Sequence, residues 1–156
     1  MSKRAIGWFG ILAGVWLCLG CGGGGGGGNP KTTYDLNGSY SYSLTPGTVT
    51  GNGASDCDPS EASTGTVDVT WTSGSDSCQV VVDGSDPVTG SVSGNTISYS
   101  WSDTNYMNCP TYRESMSISM TSEDTAAGSI TWHCSWVDNG TSYTCSAKDT
   151  LAVTRL

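Results

Sequence analysis

The chain has 156 residues and a formal net charge of −8, and only 13% of its residues are charged, about half the share of an average soluble domain. The negative charge excludes a basic nucleic-acid-binding protein, and the shortage of Leu, Lys, Glu and Ala argues against a helix bundle. Most of the polarity comes instead from 24 Ser and 20 Thr residues.

Residues 1–20 are predicted to be an export signal and not part of the fold. Lys3 and Arg4 precede an uncharged, mostly apolar run that ends at Cys21, which is the order of a secretory signal. The run is somewhat short for a membrane span, which needs about 20 residues. An ordinary secretory signal that is cleaved nearby and an uncleaved signal anchor are the alternatives to the interpretation that follows.

The segment Leu17-Cys18-Leu19-Gly20-Cys21 resembles the lipobox of bacterial lipoproteins, in which a small residue precedes an acylated cysteine. Cys18 stands where that family usually has Leu. The resemblance implies that Cys21 carries acyl chains such as palmitate and becomes the N-terminus of a protein anchored in the bacterial cell envelope. Gly22, and not Asp, follows the cysteine, which by the same resemblance implies the outer membrane.

Seven consecutive glycines, Gly22–Gly28, follow Cys21. A glycine run holds no secondary structure and is typical of a flexible tether. We therefore expect residues 21–33 to be a lipidated, glycine-rich tether and residues 34–156 to form a single β domain. Without residues 1–20 the chain keeps four cationic and fourteen acidic residues, a formal charge of −10. Acyl chains, and not charge, would have to hold such a protein on an anionic membrane.

From Tyr34 onward, apolar and aromatic residues alternate with Ser and Thr. This period of two indicates half-buried antiparallel strands whose hydroxyl side chains face water. Two-residue turns at Gly74-Ser75, Gly94-Asn95 and Asn139-Gly140 each predict a register that keeps the apolar residues on one face. The predicted opposed pairs are Val67 with Val82, Val69 with Val80, Trp71 with Cys78, Val88 with Trp101, Gly90 with Tyr99, Val92 with Ile97, Cys134 with Cys145 and Trp136 with Tyr143.

Eight short strands joined in sequence predict a closed, antiparallel up-and-down barrel, which leaves no exposed sheet edge. A two-sheet β-sandwich is the alternative. The segment Gly38-Ser39-Tyr40 is similar to the Gly-x-Trp opening of lipocalins and avidins, with Tyr40 in place of Trp, and Arg155 lies near the C-terminus. The resemblance implies a small calycin-like barrel in which Arg155 stacks on the ring of Tyr40.

Export would place the cysteines of the β domain in an oxidising compartment, where disulfides form. Cys134 and Cys145 are directly opposed in the predicted register. They form a hydrogen-bonded pair, in which the two Cα atoms are further apart and a cross-strand disulfide is less favoured. Cys57 and Cys109 fall in loops that share one end of an up-and-down barrel. We therefore expect the disulfides Cys134–Cys145 and Cys57–Cys109, with Cys78 as a buried thiol. Pairing of Cys134 with either loop cysteine would argue for the sandwich instead.

The inward positions of the predicted strands hold many aromatic side chains. These rings either fill the barrel as its core or line a small cup that binds a sugar, a haem-like ring or an apolar small molecule. Tyr106 and Tyr112 flank Cys109 and are expected at the rim of the open end. The candidate cup residues are Trp71, Tyr99, Trp101, Trp132, Trp136 and Tyr143.

The sequence contains no recognisable catalytic, metal or cofactor site. His133, the single histidine, is expected on the outer face of a strand, and the cysteine spacings typical of zinc sites are absent. Residues 58–61 have the pattern of a capping box and predict one helical turn. Residues 83–86 and 103–105 are predicted to be turns, with calcium ligation as the alternative.

We expect a monomeric, membrane-anchored lipoprotein whose β domain binds a small molecule or sugar, or serves a structural or surface-interaction role. No nucleic acid is expected as a partner. The alternative is a carbohydrate-active enzyme that uses a carboxylate among Glu61, Glu114 and Glu123.

Overall fold

Eight strands, each paired with the next along the chain, close into an antiparallel barrel in which β8 pairs back with β1. The computed structural model describes residues 33–106 and 109–156. The predicted signal, Cys21 and nearly all of the predicted tether lie outside the described residues. The strands are β1 Gly38–Thr45, β2 Ser63–Trp71, β3 Ser77–Val82, β4 Val88–Ser93, β5 Thr96–Asp103, β6 Thr111–Met120, β7 Thr125–Asp138 and β8 Thr141–Arg155.

This strand order confirms the predicted eight-stranded barrel, and the alternative of a two-sheet sandwich is wrong. The registers predicted from the three turns are confirmed beside each turn. Asn139 and Gly140 both take positive φ angles, 48° and 78°, as a type I′ hairpin turn requires. The confirmed pairs are Val67 with Val82, Val69 with Val80, Trp71 with Cys78, Val92 with Ile97, Cys134 with Cys145 and Trp136 with Tyr143.

The ladder between β4 and β5 is shorter than predicted. It ends at the pair Ser91 and Ser98, so the predictions that Gly90 pairs with Tyr99 and that Val88 pairs with Trp101 are wrong. Beyond Ser98, β5 continues along β6, while the beginning of β4 follows β3. The aromatic half of β5 is therefore free of β4 and packs toward the β5–β6 loop.

The barrel has a closed end and a loop end. The closed end carries residues 33–37, the β2–β3, β4–β5 and β6–β7 turns and the C-terminus, and the loop end carries the other four connections. At the closed end, Leu36 is fully buried. The Arg155 guanidinium lies 5.4 Å from the ring centroid of Tyr40 and donates to the carbonyls of Asp35 and Asn37 at 2.7 and 2.6 Å. The predicted contact between Arg155 and Tyr40 is therefore present at the closed end.

The chain enters the barrel at the closed end. The backbone N–H of Thr33 donates to Oδ1 of Asn95 at 2.8 Å, and Nδ2 of Asn95 donates to the Thr33 hydroxyl at 2.7 Å. Because Asn95 belongs to the β4–β5 turn, the first described residue is attached directly to the rim of the barrel.

The interior is packed from the closed end to the middle of the barrel. Inward side chains from all eight strands form one apolar cluster, and an apolar cavity of about 20 Å³ remains within it. A cavity of that size holds about one water molecule. This part of the barrel is therefore a core and not a ligand cup.

The cysteines pair differently from the prediction. All four cysteines that were expected in disulfides are bonded, and Cys78 is a buried free thiol, as predicted. The predicted partners are wrong, because the bonds are Cys57–Cys145 and Cys109–Cys134. The barrel and the register hold with this pairing, so the expectation that it would indicate a sandwich is also wrong.

The path of the β1–β2 loop explains the first bond. The loop runs along the free stretch of β8 at the loop end, where Thr50 and Ser146 form an antiparallel bridge with reciprocal backbone hydrogen bonds of 2.9 Å. Cys57 is thereby brought to Cys145, with 6.6 Å between the two Cα atoms.

The geometry of opposed strand positions explains why Cys134 does not bond Cys145. The two are opposed in a hydrogen-bonded pair, the geometry that disfavours a direct cross-strand bridge. Cys109 stands just before β6, the other neighbour of β7, and its Cα lies 5.7 Å from that of Cys134. Each strand cysteine therefore bonds a loop cysteine.

Candidate functional site

A carboxyl group faces into the barrel near the loop end. Glu114 is on β6, on the same face as Tyr112 and Met116. Its Oε2 accepts a hydrogen bond from the Tyr112 hydroxyl at 2.7 Å, and its Oε1 accepts one from the Tyr99 hydroxyl at 3.4 Å. Burial raises the pKa of Glu114 above its ordinary value, although the two hydrogen bonds act in the opposite direction. A carboxyl perturbed in this way is typical of functional sites.

Aromatic rings pack together beside this carboxyl. Ring centroids lie 4.8 Å apart for Trp101 and Tyr106, and 4.7 Å apart for Tyr106 and Tyr112. Burial, followed by the charge of Glu114, raises the pKa of both Tyr99 and Tyr112 well above the ordinary value. Both hydroxyls therefore stay protonated and can donate to the carboxyl. We call Tyr99, Trp101, Tyr106, Tyr112 and Glu114 the aromatic–carboxyl cluster.

The β5–β6 loop holds one ring of this cluster in place. The backbone N–H of Cys109 donates to the carbonyl of Tyr106 at 2.7 Å, and the Cys109–Cys134 disulfide attaches the same loop to β7. Tyr106 and Trp101 remain partly exposed, whereas Tyr112 is buried. The expectation that Tyr112 stands at the rim is therefore wrong, because its hydroxyl is turned inward to Glu114.

A second carboxyl, that of Asp149 on β8, is 1% exposed. Its Oδ2 accepts a hydrogen bond from the Ser60 hydroxyl at 2.6 Å, and its Oδ1 accepts one from the backbone N–H of Gly47 at 2.8 Å. The Ser60 oxygen in turn accepts a hydrogen bond from the indole N–H of Trp132 at 3.0 Å. A buried carboxyl is tolerated when its oxygens are satisfied in this way. Because Ser60 and Gly47 belong to the β1–β2 loop, the network attaches that loop to the interior.

The two interior carboxyls influence each other. The charge of Asp149 contributes to the raised pKa of Glu114. Within residues 33–106 and 109–156, no cationic side chain pairs with either group. Glu114 lies under partly exposed rings and Asp149 is sealed beneath a loop, so Glu114 is the carboxyl that a ligand would meet.

The six predicted cup residues do not surround a single cup. Tyr99 and Trp101 belong to the aromatic–carboxyl cluster. Trp71 is near the closed end, where its indole N–H donates to the carbonyl of Ser75 at 2.9 Å. Trp132 is 2% exposed in the network of Asp149.

The last two of these residues stand beyond the barrel, on the hairpin of β7 and β8. Trp136 and Tyr143 stack with their ring centroids 5.6 Å apart. Gly53 of the β1–β2 loop lies so close to the Trp136 ring that a Cβ at this position would collide with it. This pair therefore supports the loop.

Other predicted residues have structural positions. Residues 58–61 form no helical turn, and the short 3-10 turn is Ala54–Asp56 instead, so the capping-box prediction is wrong. The Ser60 side chain is buried instead, and its hydroxyl donates a hydrogen bond to Asp149. Glu61 and Glu123 are exposed in loops, and His133 is half-buried on the outer face of β7.

Asp83 has the turn role expected of it. Its Oδ2 accepts a hydrogen bond from the Tyr42 hydroxyl at 2.7 Å, and its Oδ1 accepts one from the backbone N–H of Thr66 at 2.7 Å. Throughout the described part of the chain, no group of three or more His, Cys, Asp or Glu side chains is arranged to hold a metal ion.

No protein-family model matches the chain, and no curated protein matches it. In the part of the chain that the structure describes, no helix is long and apolar enough to cross a membrane. The fold and the cluster define a small, disulfide-linked, closed β-barrel with an aromatic–carboxyl cluster at its loop end.

Proposed function

We propose that this protein is a lipid-anchored lipoprotein of the bacterial cell envelope whose barrel binds a small ligand at the loop end. The observation that carries the proposal is the interior carboxyl of Glu114 beneath partly exposed aromatic rings. The acylation of Cys21 that the lipobox resemblance implies supplies the anchor. By the same resemblance, we place the protein at the outer membrane.

The chemistry of the cluster indicates what such a ligand presents. Glu114 accepts hydrogen bonds, and its charge has no cationic partner among the described residues. The faces of Trp101 and Tyr106 attract apolar rings, the C–H faces of sugars and organic cations. A small sugar or an organic amine combines a suitable face with donors for the carboxyl, and the hydrogen bond to the carboxyl is stronger where water is excluded.

A direct binding experiment tests the proposal. Full-length protein in nonionic detergent is titrated with a panel of monosaccharides and small organic amines, with tryptophan fluorescence and calorimetry as readouts. We expect one class to bind, and Glu114→Gln to weaken it at least about tenfold, the equivalent of about 1.4 kcal/mol.

Glu123→Gln is the matched control, since it makes the same chemical change in an exposed loop. It should leave the affinity unchanged. Equal loss in both variants, or no binding from any member of the panel, would contradict the proposal.

A carbohydrate-active enzyme is a second candidate, and the two interior carboxyls favour it. Glycoside hydrolysis uses two carboxyl groups, one with a raised pKa that acts as the acid. Glu114 has that property, but both oxygens of Asp149 are engaged by the β1–β2 loop. Release of reducing sugar from any glycan, lost in Glu114→Gln and in Asp149→Asn, would establish this function in place of simple binding.

A further inference from the structure

The outer wall formed by β5 to β8 differs in charge from the rest of the protein. Its outward positions hold no acidic residue, although the chain has 14 acids in all. The acids lie in the loops, at strand ends, in the interior or, for Asp68, on β2. Ser and Thr occupy the outward positions of these four strands except at Arg113, Ala127, His133, Val137, Lys148 and Ala152.

Two of the three Lys and Arg residues that the structure describes, Arg113 and Lys148, are on this wall. Arg113 on β6 lies directly opposite His133 on β7, and Lys148 on β8 lies opposite Thr131, the outward position before His133. Lys148 is therefore a diagonal neighbour of His133, at about 7–8 Å, and Arg113 is on the other side of β7. Arg155, the other cation of the described residues, is engaged at the closed end. Arg113 and Lys148 are exposed and, within the described ranges, neither forms an ion pair.

The same wall carries two open depressions that run into each other. One, of about 480 Å³, is lined in part by Arg113, His133 and Ser102. The other, of about 330 Å³, extends toward Ser91 on β4. Both depressions share the residues Ser100, Ser115 and Thr131. We call the combined feature the hydroxyl groove.

We propose that the hydroxyl groove binds an acidic polysaccharide, a glycan that carries carboxylates at intervals. Rows of Ser and Thr hydroxyls both donate to and accept from sugar hydroxyls. Arg113 lines the groove, and Lys148 lies opposite Thr131, which both depressions share. Each can supply a charge-assisted hydrogen bond to a carboxylate. An elongated groove with two separated cations fits an extended chain of sparse charge. A nucleic acid places a phosphate on every nucleotide and requires a far more basic surface.

The hydroxyl groove lies on the outside of the barrel, although Trp101 and Glu114 of the aromatic–carboxyl cluster also contribute to the lining of its larger depression. Lys148 is not part of that cluster. Lys148→Gln should therefore weaken binding of the polysaccharide and leave the affinity for the small ligand of the proposed function unchanged. Failure of one proposal thus leaves the other standing.

The test uses full-length protein in nonionic detergent, polygalacturonate as the acidic polysaccharide and dextran as the neutral one. We expect polygalacturonate to bind at least about tenfold more tightly than dextran and to weaken as sodium chloride is raised. Arg113→Gln and Lys148→Gln should each weaken binding about fivefold, and Ser115→Asp should abolish it. All three positions are exposed, so a thermal melt should show an unchanged fold.

Lys31→Gln is the matched control, because it removes one positive charge from a part of the sequence that precedes all eight strands. Its affinity should stay within about twofold of the starting protein. Equal losses of affinity in Lys31→Gln and Arg113→Gln would show that only the net charge of the protein matters, and would overturn the proposal. Equal binding of dextran would overturn it, as would phosphatidylglycerol vesicles that compete better than polygalacturonate.

Discussion

Ser60 and Asp149 are separated by 89 positions in the chain and joined by a hydrogen bond of 2.6 Å, which fixes the β1–β2 loop to β8 from inside the barrel. Ser60 is 3% exposed and also receives the indole N–H of Trp132. A loop that is held only by surface contacts can move, whereas this one is attached to the core. The site at the loop end is therefore built on a rigid frame.

Removing the Ser60 hydroxyl should destabilise the barrel. Ser60→Ala leaves one Asp149 oxygen and the Trp132 indole N–H without partners, at a cost of about 1–3 kcal/mol. Urea unfolding monitored by fluorescence measures the change. Ser73→Ala, at an exposed position at the closed end, should stay within about 0.5 kcal/mol. A similarly small loss of stability for Ser60→Ala would contradict the hydrogen bonds that Ser60 forms with Asp149 and Trp132.

Replacing Glu114 should change how stability depends on pH. Because the pKa of Glu114 is raised above 4.5 in the folded protein, the folded protein holds this proton more tightly than the unfolded chain. The stability that this contributes is complete below pH 4.5 and is lost as the pH rises through the raised pKa. Gln keeps an acceptor for Tyr112 and cannot ionise.

Glu114→Gln should therefore gain stability relative to the unsubstituted protein as the pH rises from 4.5, with a slope of up to about 1.4 kcal/mol per pH unit. Urea midpoints between pH 4 and pH 8 measure the difference. Glu123→Gln, in an exposed loop, should show no such gain. A flat difference for Glu114→Gln would show that its carboxyl is well solvated.

The disulfide pairing is directly checkable. Mass spectrometry of the non-reduced, digested protein should find Cys57 linked to Cys145 and Cys109 linked to Cys134, with Cys78 alkylated only after unfolding. The links join residues 88 and 25 positions apart. In the chain-entropy model they contribute about 4–5 and about 3–4 kcal/mol.

Removal of the longer link should therefore cost more stability. We expect the double variant Cys57→Ser, Cys145→Ser to unfold at a lower urea concentration than Cys109→Ser, Cys134→Ser. A Cys134–Cys145 peptide in the digest would contradict the pairing described above.

Acylation of Cys21 is the prediction on which the membrane anchor depends. Labelled palmitate should be incorporated into the unsubstituted protein in a bacterial host, and Cys21→Ala should lose both the label and the membrane fraction. Cys18→Ala is the matched control, since it removes a cysteine from the same segment outside the acylated position. Equal labelling of the Cys21→Ala protein would contradict the lipoprotein assignment.

The sequence predicts strand positions well because each short turn fixes a register and each register is checked by the alternating pattern. The alternation of inward and outward positions also marks the interior carboxyls. Asp149 interrupts the apolar inward positions of β8 between Ala147 and Leu151, and Glu114 follows Tyr112 on the inward face of β6. A charged residue at an inward position is the sequence signal for the site. An interpretation that follows only the apolar residues does not detect it.

The loops were not predictable by the same means. Disulfide partners depend on where the β1–β2 and β5–β6 loops fold, and neither loop carries a periodic pattern. Cys57 reaches Cys145 only because the loop bridges β8 at Thr50. That contact is tertiary, and nothing in the neighbouring residues specifies it.

The attachment of Thr33 to Asn95 fixes the end of the barrel at which the chain enters it. Thr33 is 12 positions after Cys21, a distance of at most about 43 Å when fully extended. If Cys21 is acylated as proposed, the membrane attachment would reach the barrel at its closed end. The loops that carry the two disulfides are at the opposite end. The aromatic–carboxyl cluster would then be at the end of the barrel away from the point of attachment.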